Sequence, residues 1–205
     1  MNKKLPLIEL TINEDEGSIV NAVGLVEEPA IESDFIAFAK HTKVEKFVAN
    51  DEKMELFGAA MIPDIKIYRK DENTGMEYNV FFSKETVRKI AQQYMKYGYQ
   101  KNLNLHHTPL PAKSYIYQSY IVDQSKGVNA PEGINAPDGS WIIGVKVEDA
   151  SVWERIKSGE VKGFSIEGVF EFVEKQFKNE MNSDLEVIEI LQKMNDLINK
   201  IKEKK

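Results

Sequence analysis

Short apolar runs separated by turn residues dominate this sequence, and they limit the folds that the chain can adopt. Each run has the length of a strand, is rich in branched side chains and is bounded mostly by Gly, Pro, Asn, Asp or acidic residues. The runs occupy residues 5–12, 18–26, 53–63, 65–70, 77–82, 102–107, 114–123, 140–147 and 161–170. Because strands and helices do not alternate regularly, the pattern predicts mainly antiparallel strands.

Two segments between the strands have the signals of short helices. Ser83 is suited to cap a helix that runs to about Tyr97, and Gly98 suits its end. Ser151 and Glu154 form a capping-box pattern for a second helix over 151–159. The mixed segment 27–40 has room for a third. The sequence therefore predicts an α+β fold, a mainly antiparallel barrel or sandwich with flanking helices.

The last part of the chain differs from the rest. Residues 1–175 are predicted to form one domain, 176–183 are polar and predict a linker, and 184–205 predict an amphipathic helix like a coiled coil. The apolar residues of this predicted helix recur at spacings of 4, 3, 4 and 3 residues and are Val187, Leu191, Met194, Ile198 and Ile201. A helix this short is marginal in water, so we expect it to pack on a partner or on its own domain.

Composition argues against several classes of function. The formal net charge of −6 gives no basic field for nucleic acid or anionic lipid. No apolar stretch approaches the ~20 residues of a membrane span, and the amino-terminal stretch does not have the pattern of a signal peptide. The chain has no cysteine, no His-x-His or HExxH spacing and no phosphate-binding loop. We therefore expect no metal and no cofactor, and a cytoplasmic location.

A serine stands in an unusual position in the sequence VKGFSIEGVF. Ser165 lies between Gly163 and Gly168 in a predicted strand, where packing would favour an apolar residue. Strand parity places Ser165 and Glu167 on one face and Phe164 on the other. The small neighbours leave room for another backbone to approach. This arrangement permits a nucleophile without requiring one, and a structural serine remains the alternative.

A serine nucleophile needs a base, and histidine is the usual one. The chain has three histidines, His41, His106 and His107. If the strand over 102–107 continues through both adjacent histidines, parity places His107 on the apolar face with Leu105 and His106 on the polar face. A partly desolvated imidazole at the rim of the core suits a catalytic base, so His107 is the stronger candidate.

Several stretches together resemble the capsid maturation (prohead) proteases of tailed bacteriophages, particularly the XkdF-type phage serine proteases. They are NAVGLVEEPAIESDFIAF, YNVFFSKETVRKIAQQYM, NLNLHHTP, SYIVD and VWERIKSGEVKGFSIEGVF, and in order and spacing they cover roughly residues 5–172. The resemblance implies a β-barrel with flanking helices, similar to the herpesvirus assemblin protease. It also implies a serine endopeptidase that needs no cofactor.

The resemblance further implies a catalytic set. The serine of the family's GFS-like stretch corresponds to Ser165, and the histidine of its NLEHD-like strand corresponds to His107. The third member is open among Asp123, Glu167 and His106, because the chain departs from the family pattern. His106 stands where the family often has Glu, Thr108 replaces a common Asp, and Gln118 occupies a position that is often acidic.

The implied substrates are the scaffold protein, the major capsid protein and the protease itself, with the polar stretch 176–183 as an exposed site for self-cleavage. The expected location is the assembling prohead in the host cytoplasm, and self-association is expected. An alternative is a protease-like head component that has lost activity, for which Gln118 and Thr108 are the indications. A general ligand-binding barrel is a third reading, and no residue supports it beyond the fold.

Overall fold

The computed structural model describes residues 5–27, 36–37, 53–71 and 74–173 of this 205-residue chain. These residues form a mixed α+β structure made mostly of strands. The strands are β1 (Leu7–Thr11), β2 (Ile19–Val26), β3 (Ile36–Ala37), β4 (Glu55–Met61), β5 (Ile67–Lys70), β6 (Glu77–Phe82), β7 (Leu103–Leu105), β8 (Ser114–Ile121), β9 (Trp141–Val147), β10 (Gly163–Val169) and β11 (Glu171–Phe172). The α-helices are α1 (Lys84–Lys96) and α2 (Ala150–Lys157).

Hydrogen bonds join the described strands into three sheets, with the orders β11-β1-β6-β5, β10-β2-β7 and β3-β4-β9-β8. β1 is parallel to β6 and β2 is parallel to β7, while the other described pairs are antiparallel. The predicted α+β class and the predominance of antiparallel pairing are therefore confirmed. Within the described residues the strands do not close into a barrel, so the assemblin-like barrel is not confirmed.

The core is centred on β9. Trp141, Ile142, Ile143 and Val145 are fully buried. Because neighbouring residues of a strand point to opposite faces, their common burial means that both faces of β9 are covered. Helix α1 packs nearby, where the Tyr94 ring meets Trp141 edge-on at 5.4 Å between centroids. The sheets and this helix thus form a packed scaffold on which the site residues are held.

Helix α1 has the predicted caps. The Ser83 side chain accepts a hydrogen bond from the Thr86 amide at 3.3 Å, which satisfies one of the free amides of the first turn. The helix is followed by Gly98 in the left-handed region, with φ 75°. Its buried face includes the predicted apolar stripe, Val87, Ile90, Ala91 and Tyr94.

Helix α2 begins differently from the prediction. Its N-cap is Asp149, whose carboxylate accepts from the amides of Ser151 at 2.8 Å and Val152 at 3.4 Å. The predicted cap at Ser151 is wrong because the helix already begins at Ala150, and the Ser151 hydroxyl donates to the Asp149 carboxylate. A carboxylate at this position also interacts favourably with the helix dipole.

Some predicted elements lie outside the described residues. They are the helix after Pro29, the linker over 176–183 and the C-terminal helix over 184–205. The division into domains therefore stays a prediction. In the part of the chain that the structure covers, no helix has the length and apolar character to cross a membrane.

Candidate active site

In the three-stranded sheet, β2 lies between β10, which carries Ser165, and β7, which precedes the histidine pair. Ser165 of β10 lies opposite Gly24 of β2, and Gly24 lies opposite Asn104 of β7. Residues opposite each other on neighbouring strands project to the same face of a sheet. Ser165 and Asn104 therefore point to one face, with the side-chain-free Gly24 between them.

A glycine allows β10 to lie against β2 at the irregular end of this pair. The register shifts between Glu167 and Gly168. A Cβ atom on Gly168 would lie 2.4 Å from the backbone oxygen of Ile19, which is closer than real Cβ atoms approach. Gly168 is thus required by the packing of two backbones, as the sequence suggested, and it fixes the strand that carries Ser165 and Glu167.

The chain turns sharply directly after β7. His106 and His107 both have positive φ angles, 50° and 55°, which are uncommon for residues other than glycine. The Thr108 amide donates to the Leu105 carbonyl at 3.0 Å and closes the turn. The strand therefore ends before either histidine, and its alternation of faces does not extend to them.

This turn places His107 on the face opposite to the one that parity predicted. A Cβ atom built on Gly24 would lie 2.9 Å from Cε1 and 3.0 Å from Nδ1 of His107, and 3.3 Å from Oδ1 of Asn104. The imidazole thus lies over Gly24, on the face of Asn104 and Ser165 and not on that of Leu105. The prediction was wrong because it continued a strand geometry through two residues of left-handed backbone.

Glu167 contacts both His107 and Asn104. Its Oε2 lies 3.3 Å from His107 Nδ1 and accepts a hydrogen bond from Asn104 Nδ2 at 2.8 Å. Glu167 follows Ser165 by two residues on β10, so both side chains project to the same face. The His107 and Glu167 side chains are 38% and 47% exposed, which places the pair at the surface end of the site.

The other two candidates for the third member are engaged elsewhere. His106 Nε2 accepts a hydrogen bond from Arg155 Nη2 at 2.8 Å, on the side of α2. Asp123 is paired with Lys126 and Ser125 near the end of β8, and the Lys126 contact is the main reason that its pKa is lowered to about 2. The structure brings Glu167 to His107 and directs His106 and Asp123 to other partners.

Two further positions were singled out because they depart from the family pattern. Thr108 Oγ1 donates to the Leu105 carbonyl at 2.7 Å and so supports the turn that holds His107. Gln118 lies opposite Gly144 in the pairing of β8 with β9, and it is not among the residues that line the cavity beside Ser165.

A cavity of about 400 Å³ opens beside Ser165. His107, Ser165 and Glu167 lie on its wall together with Arg69. Its other lining residues are mostly apolar and are Leu10, Ala60, Met61, Ile62, Ile67, Phe82, Phe164, Ile166, Gly168 and Phe170. Within the described residues, no three His, Asp or Glu side chains are grouped as ligands for a metal ion. The lining thus combines apolar side chains with a hydroxyl, an imidazole, a carboxylate and a guanidinium.

Ser165 and His107 are neighbours, although no hydrogen bond joins their side chains among the described contacts. Cβ positions of opposite residues in a sheet are about 4.5–5.5 Å apart, and the ring of His107 occupies the space over the residue opposite Ser165. With Nδ1 directed to Glu167, Nε2 is the nitrogen left for the hydroxyl. Free enzymes often show this contact longer than the reacting complex does.

Sequence reasoning did not find Gly24 and Asn104. Gly24 leaves the space that the His107 ring occupies, and the Asn104 amide donates a hydrogen bond to Glu167. A glycine inside an apolar strand is a known sign of close approach by another group, so Gly24 carried a signal. Asn104 carried no such signal beyond its position shortly before the histidine pair.

Comparison with known proteins assigns the family. The family model described as "Putative phage serine protease XkdF" matches residues 43–174, well over half of the chain, and the chain belongs to this family. The match includes His107, Ser165 and Glu167, whereas Gly24 precedes it.

A curated relative is "Uncharacterized protein YqbD" of Bacillus subtilis (strain 168), which is 26% identical over 141 residues. The aligned region is 69% of this chain and 39% of the relative, so the chain spans well under half of that protein. No solved structure matches the chain significantly.

Proposed function

We propose that the chain is a serine endopeptidase, because it belongs to this family. Ser165 is the nucleophile, His107 is the general base and Glu167 is the carboxylate that supports the base. The observation that carries the proposal is the contact of His107 Nδ1 with Glu167 Oε2 at 3.3 Å, on the face of the sheet to which Ser165 projects. Nucleophile, base and orienting acid are the three parts of a serine hydrolase site.

The reaction follows from these positions. Ser165 Oγ attacks the carbonyl carbon of the scissile peptide bond while His107 Nε2 takes the hydroxyl proton. The same nitrogen then gives that proton to the leaving amine, and an acyl-enzyme ester remains on Ser165. Water, deprotonated by His107, hydrolyses the ester and restores the hydroxyl.

Glu167 acts on His107 in two ways. Its carboxylate accepts a hydrogen bond from Nδ1–H, which fixes the tautomer with a free Nε2, and its negative charge stabilises the imidazolium that forms during attack. Asn104 donates to the same oxygen, Oε2, and so holds an otherwise exposed carboxylate in place. The turn at His106 and the absence of a side chain at Gly24 position the ring.

We extend the proposal to the maturation of a phage head. Support comes from the family, which is described as a phage serine protease, and from the resemblance of the chain to prohead proteases. The substrates are the scaffold protein, the major capsid protein and the protease itself. The site of action is the assembling prohead in the host cytoplasm, where the protease associates with its own copies and with scaffold.

Co-expression with scaffold and major capsid protein tests this function. We expect the wild-type chain to convert the precursors to shorter products and the Ser165→Ala variant to leave them intact, as seen by mass spectrometry of assembled particles. The Asp123→Asn variant is the control, because Asp123 lies away from His107, and it should process normally. Equal processing by wild type and Ser165→Ala would remove Ser165 from the mechanism.

A second candidate is a protease-like head component without activity. It is favoured by the absence of a Ser165–His107 hydrogen bond among the described contacts and by Gln118 at a position that is often acidic in the family. The same co-expression separates the two candidates, since this one predicts uncut precursors with the wild-type chain as well.

A further inference from the structure

The wall of the cavity beside Ser165 is mostly apolar and includes one arginine, Arg69, besides His107 and Glu167. Strand β5, at the edge of its sheet, contributes Arg69 to the lining. Apolar side chains from β1, β4, β6 and β10 make up most of the remainder. A guanidinium in such a place is a recognition group for a planar anion, because it offers several donors in a fixed plane.

Arg69 has no carboxylate partner among the described contacts. Its guanidinium makes one hydrogen bond, from Nη1 to the Tyr68 carbonyl at 2.9 Å. By contrast, Arg155 pairs with Glu160 at 2.7 Å and Arg88 lies 3.9 Å from Asp123. Within the described residues, Arg69 therefore retains most of its donors for a ligand, in a chain whose net charge is −6.

The acidic residues described near Arg69 have other partners. Asp71 Oδ1 accepts hydrogen bonds from the amide and the hydroxyl of Thr74 at 2.7 and 2.8 Å. Glu77, on the strand next to β5, accepts a hydrogen bond from the Tyr68 hydroxyl at 2.8 Å. Glu167, the acid on the cavity wall, is held by Asn104 and His107. Among the residues that the structure describes, no ion pair accounts for the position of Arg69.

We propose that Arg69 selects a substrate with a carboxylate side chain close to the scissile bond, glutamate above all. The apolar wall receives the methylene groups of that side chain, and Arg69 binds its carboxylate with charge-assisted hydrogen bonds. This inference rests on the proposed peptidase function and adds the chemical class of the substrate residue.

Cleavage of a defined peptide mixture tests the proposal. The probe is a set of synthetic peptides in which each position around a central variable bond carries either Glu or Gln, and mass spectrometry gives the rate of each cleavage. We expect the wild-type chain to prefer Glu at one position by about 10- to 100-fold in kcat/KM, the range of a charge-assisted contact. Arg69→Gln should abolish that preference, and Arg69→Lys should keep part of it.

Lys70→Gln is the matched control. Lys70 is the next residue on β5 and has the same charge, but it does not line the cavity, so its loss should leave the preference unchanged. Labelling of Ser165 with a fluorophosphonate, expected at equal rates in wild type and in all three variants, verifies that each site is intact.

The possible outcomes separate the role of Arg69 from the peptidase function itself. Cleavage by the wild-type chain without a preference for Glu overturns the role of Arg69 and leaves the peptidase intact. A preference that persists in Arg69→Gln, or that is lost equally in Lys70→Gln, overturns it as well. A wild-type chain that cleaves no peptide and resists the fluorophosphonate overturns both proposals.

Discussion

One oxygen of Glu167 contacts two neighbours, and this geometry is the reason that we propose Glu167 as the group that assists His107. The Asn104 amide and His107 Nδ1 both meet Oε2. A carboxylate held in this way supports the charged form of the ring and fixes its orientation, whereas a neutral amide supplies only orientation. The third member can therefore be tested by one isosteric substitution.

Glu167→Gln should lower kcat by about 100- to 10,000-fold, because the imidazolium loses its counter-charge and the ring its preferred tautomer. KM should change less than kcat, since in the proposed mechanism this carboxylate acts on the His107 ring. Steady-state cleavage of a peptide substrate measures both values. Asp123→Asn is the matched control and should keep full activity; the reverse ranking of the two variants would assign the third member to Asp123.

Gly24 has no side chain and so leaves room for the ring of His107, the proposed base. Gly24→Ala should lower kcat/KM by about 100-fold, because the new Cβ would meet the His107 ring at 2.9–3.0 Å and displace it. The protein should remain folded, since the group that yields is a partly exposed side chain. Peptide cleavage together with thermal unfolding measures the effect.

Gly127→Ala is the comparison for that variant. Gly127 has φ 73° and open space around its Cα, so alanine there adds backbone strain without touching the site. It should lower thermal stability and keep activity. A Gly24→Ala variant as active as wild type would show that the ring does not depend on this space.

At the scale of elements, the sequence predicted the strands and helices that local patterns of apolar and turn residues indicate. The apolar runs correspond to β1, β2, β4, β6, β8 and β9 within a few residues at each end, and Ser83 and Gly98 mark the ends of α1. These elements were predictable because the strands are short apolar runs bounded mostly by turn residues, and the apolar positions of a helix recur about every 3.6 residues.

Predictions failed where the backbone changes from extended to left-handed within one or two residues. β7 ends at Leu105 because His106 and His107 adopt left-handed angles. That choice depends on bonds that form only in the folded chain, such as the hydrogen bond from the His106 amide to the Leu25 carbonyl on β2. No local pattern contains this information, and so the face of His107 was predicted wrongly.

The start of α2 offers a direct test of which residue caps it. Asp149→Ala should lower the melting temperature by roughly 2–4 °C, as expected for a lost N-cap in a chain of this size. Ser151→Ala should lower it less, because the Ser151 hydroxyl donates to Asp149 and caps no amide itself. Differential scanning calorimetry of the two variants decides; a larger effect at Ser151 would support the capping box.

Over the whole molecule, paired surface carboxylates link stability to pH. Partners lower the pKa of a set of carboxyl groups, mainly through hydrogen bonds from the Tyr97 hydroxyl, Lys126, the Gln124 amide, the Ser151 hydroxyl and Arg155. The groups are Glu14, Asp123, Asp138, Asp149 and Glu160, respectively. In the unfolded chain such groups titrate near pH 4. Their stabilising contribution is thus present above about pH 4 and is lost as the pH falls through the lower folded-state values.

We therefore expect the urea midpoint of unfolding to be nearly constant from pH 7 to about pH 5 with respect to these groups and to fall below about pH 4. The fluorescence of the buried Trp141 and Trp153 reports the transition. Because most of these carboxylates are well exposed, 1 M salt should reduce the difference between pH 7 and pH 3. An equal midpoint at both pH values would show that the pairs add nothing to stability.

The central claim is that Ser165 is a nucleophile activated by His107, and covalent labelling tests it most directly. Incubation with a fluorophosphonate and mass spectrometry of the digested protein should give one modified residue, Ser165, in the wild-type chain. Ser165→Ala should remain unlabelled, and His107→Ala should react at least 100-fold more slowly, because the hydroxyl then has no base. An unmodified Ser165 in the folded wild-type chain, or equal labelling in His107→Ala, would contradict the account.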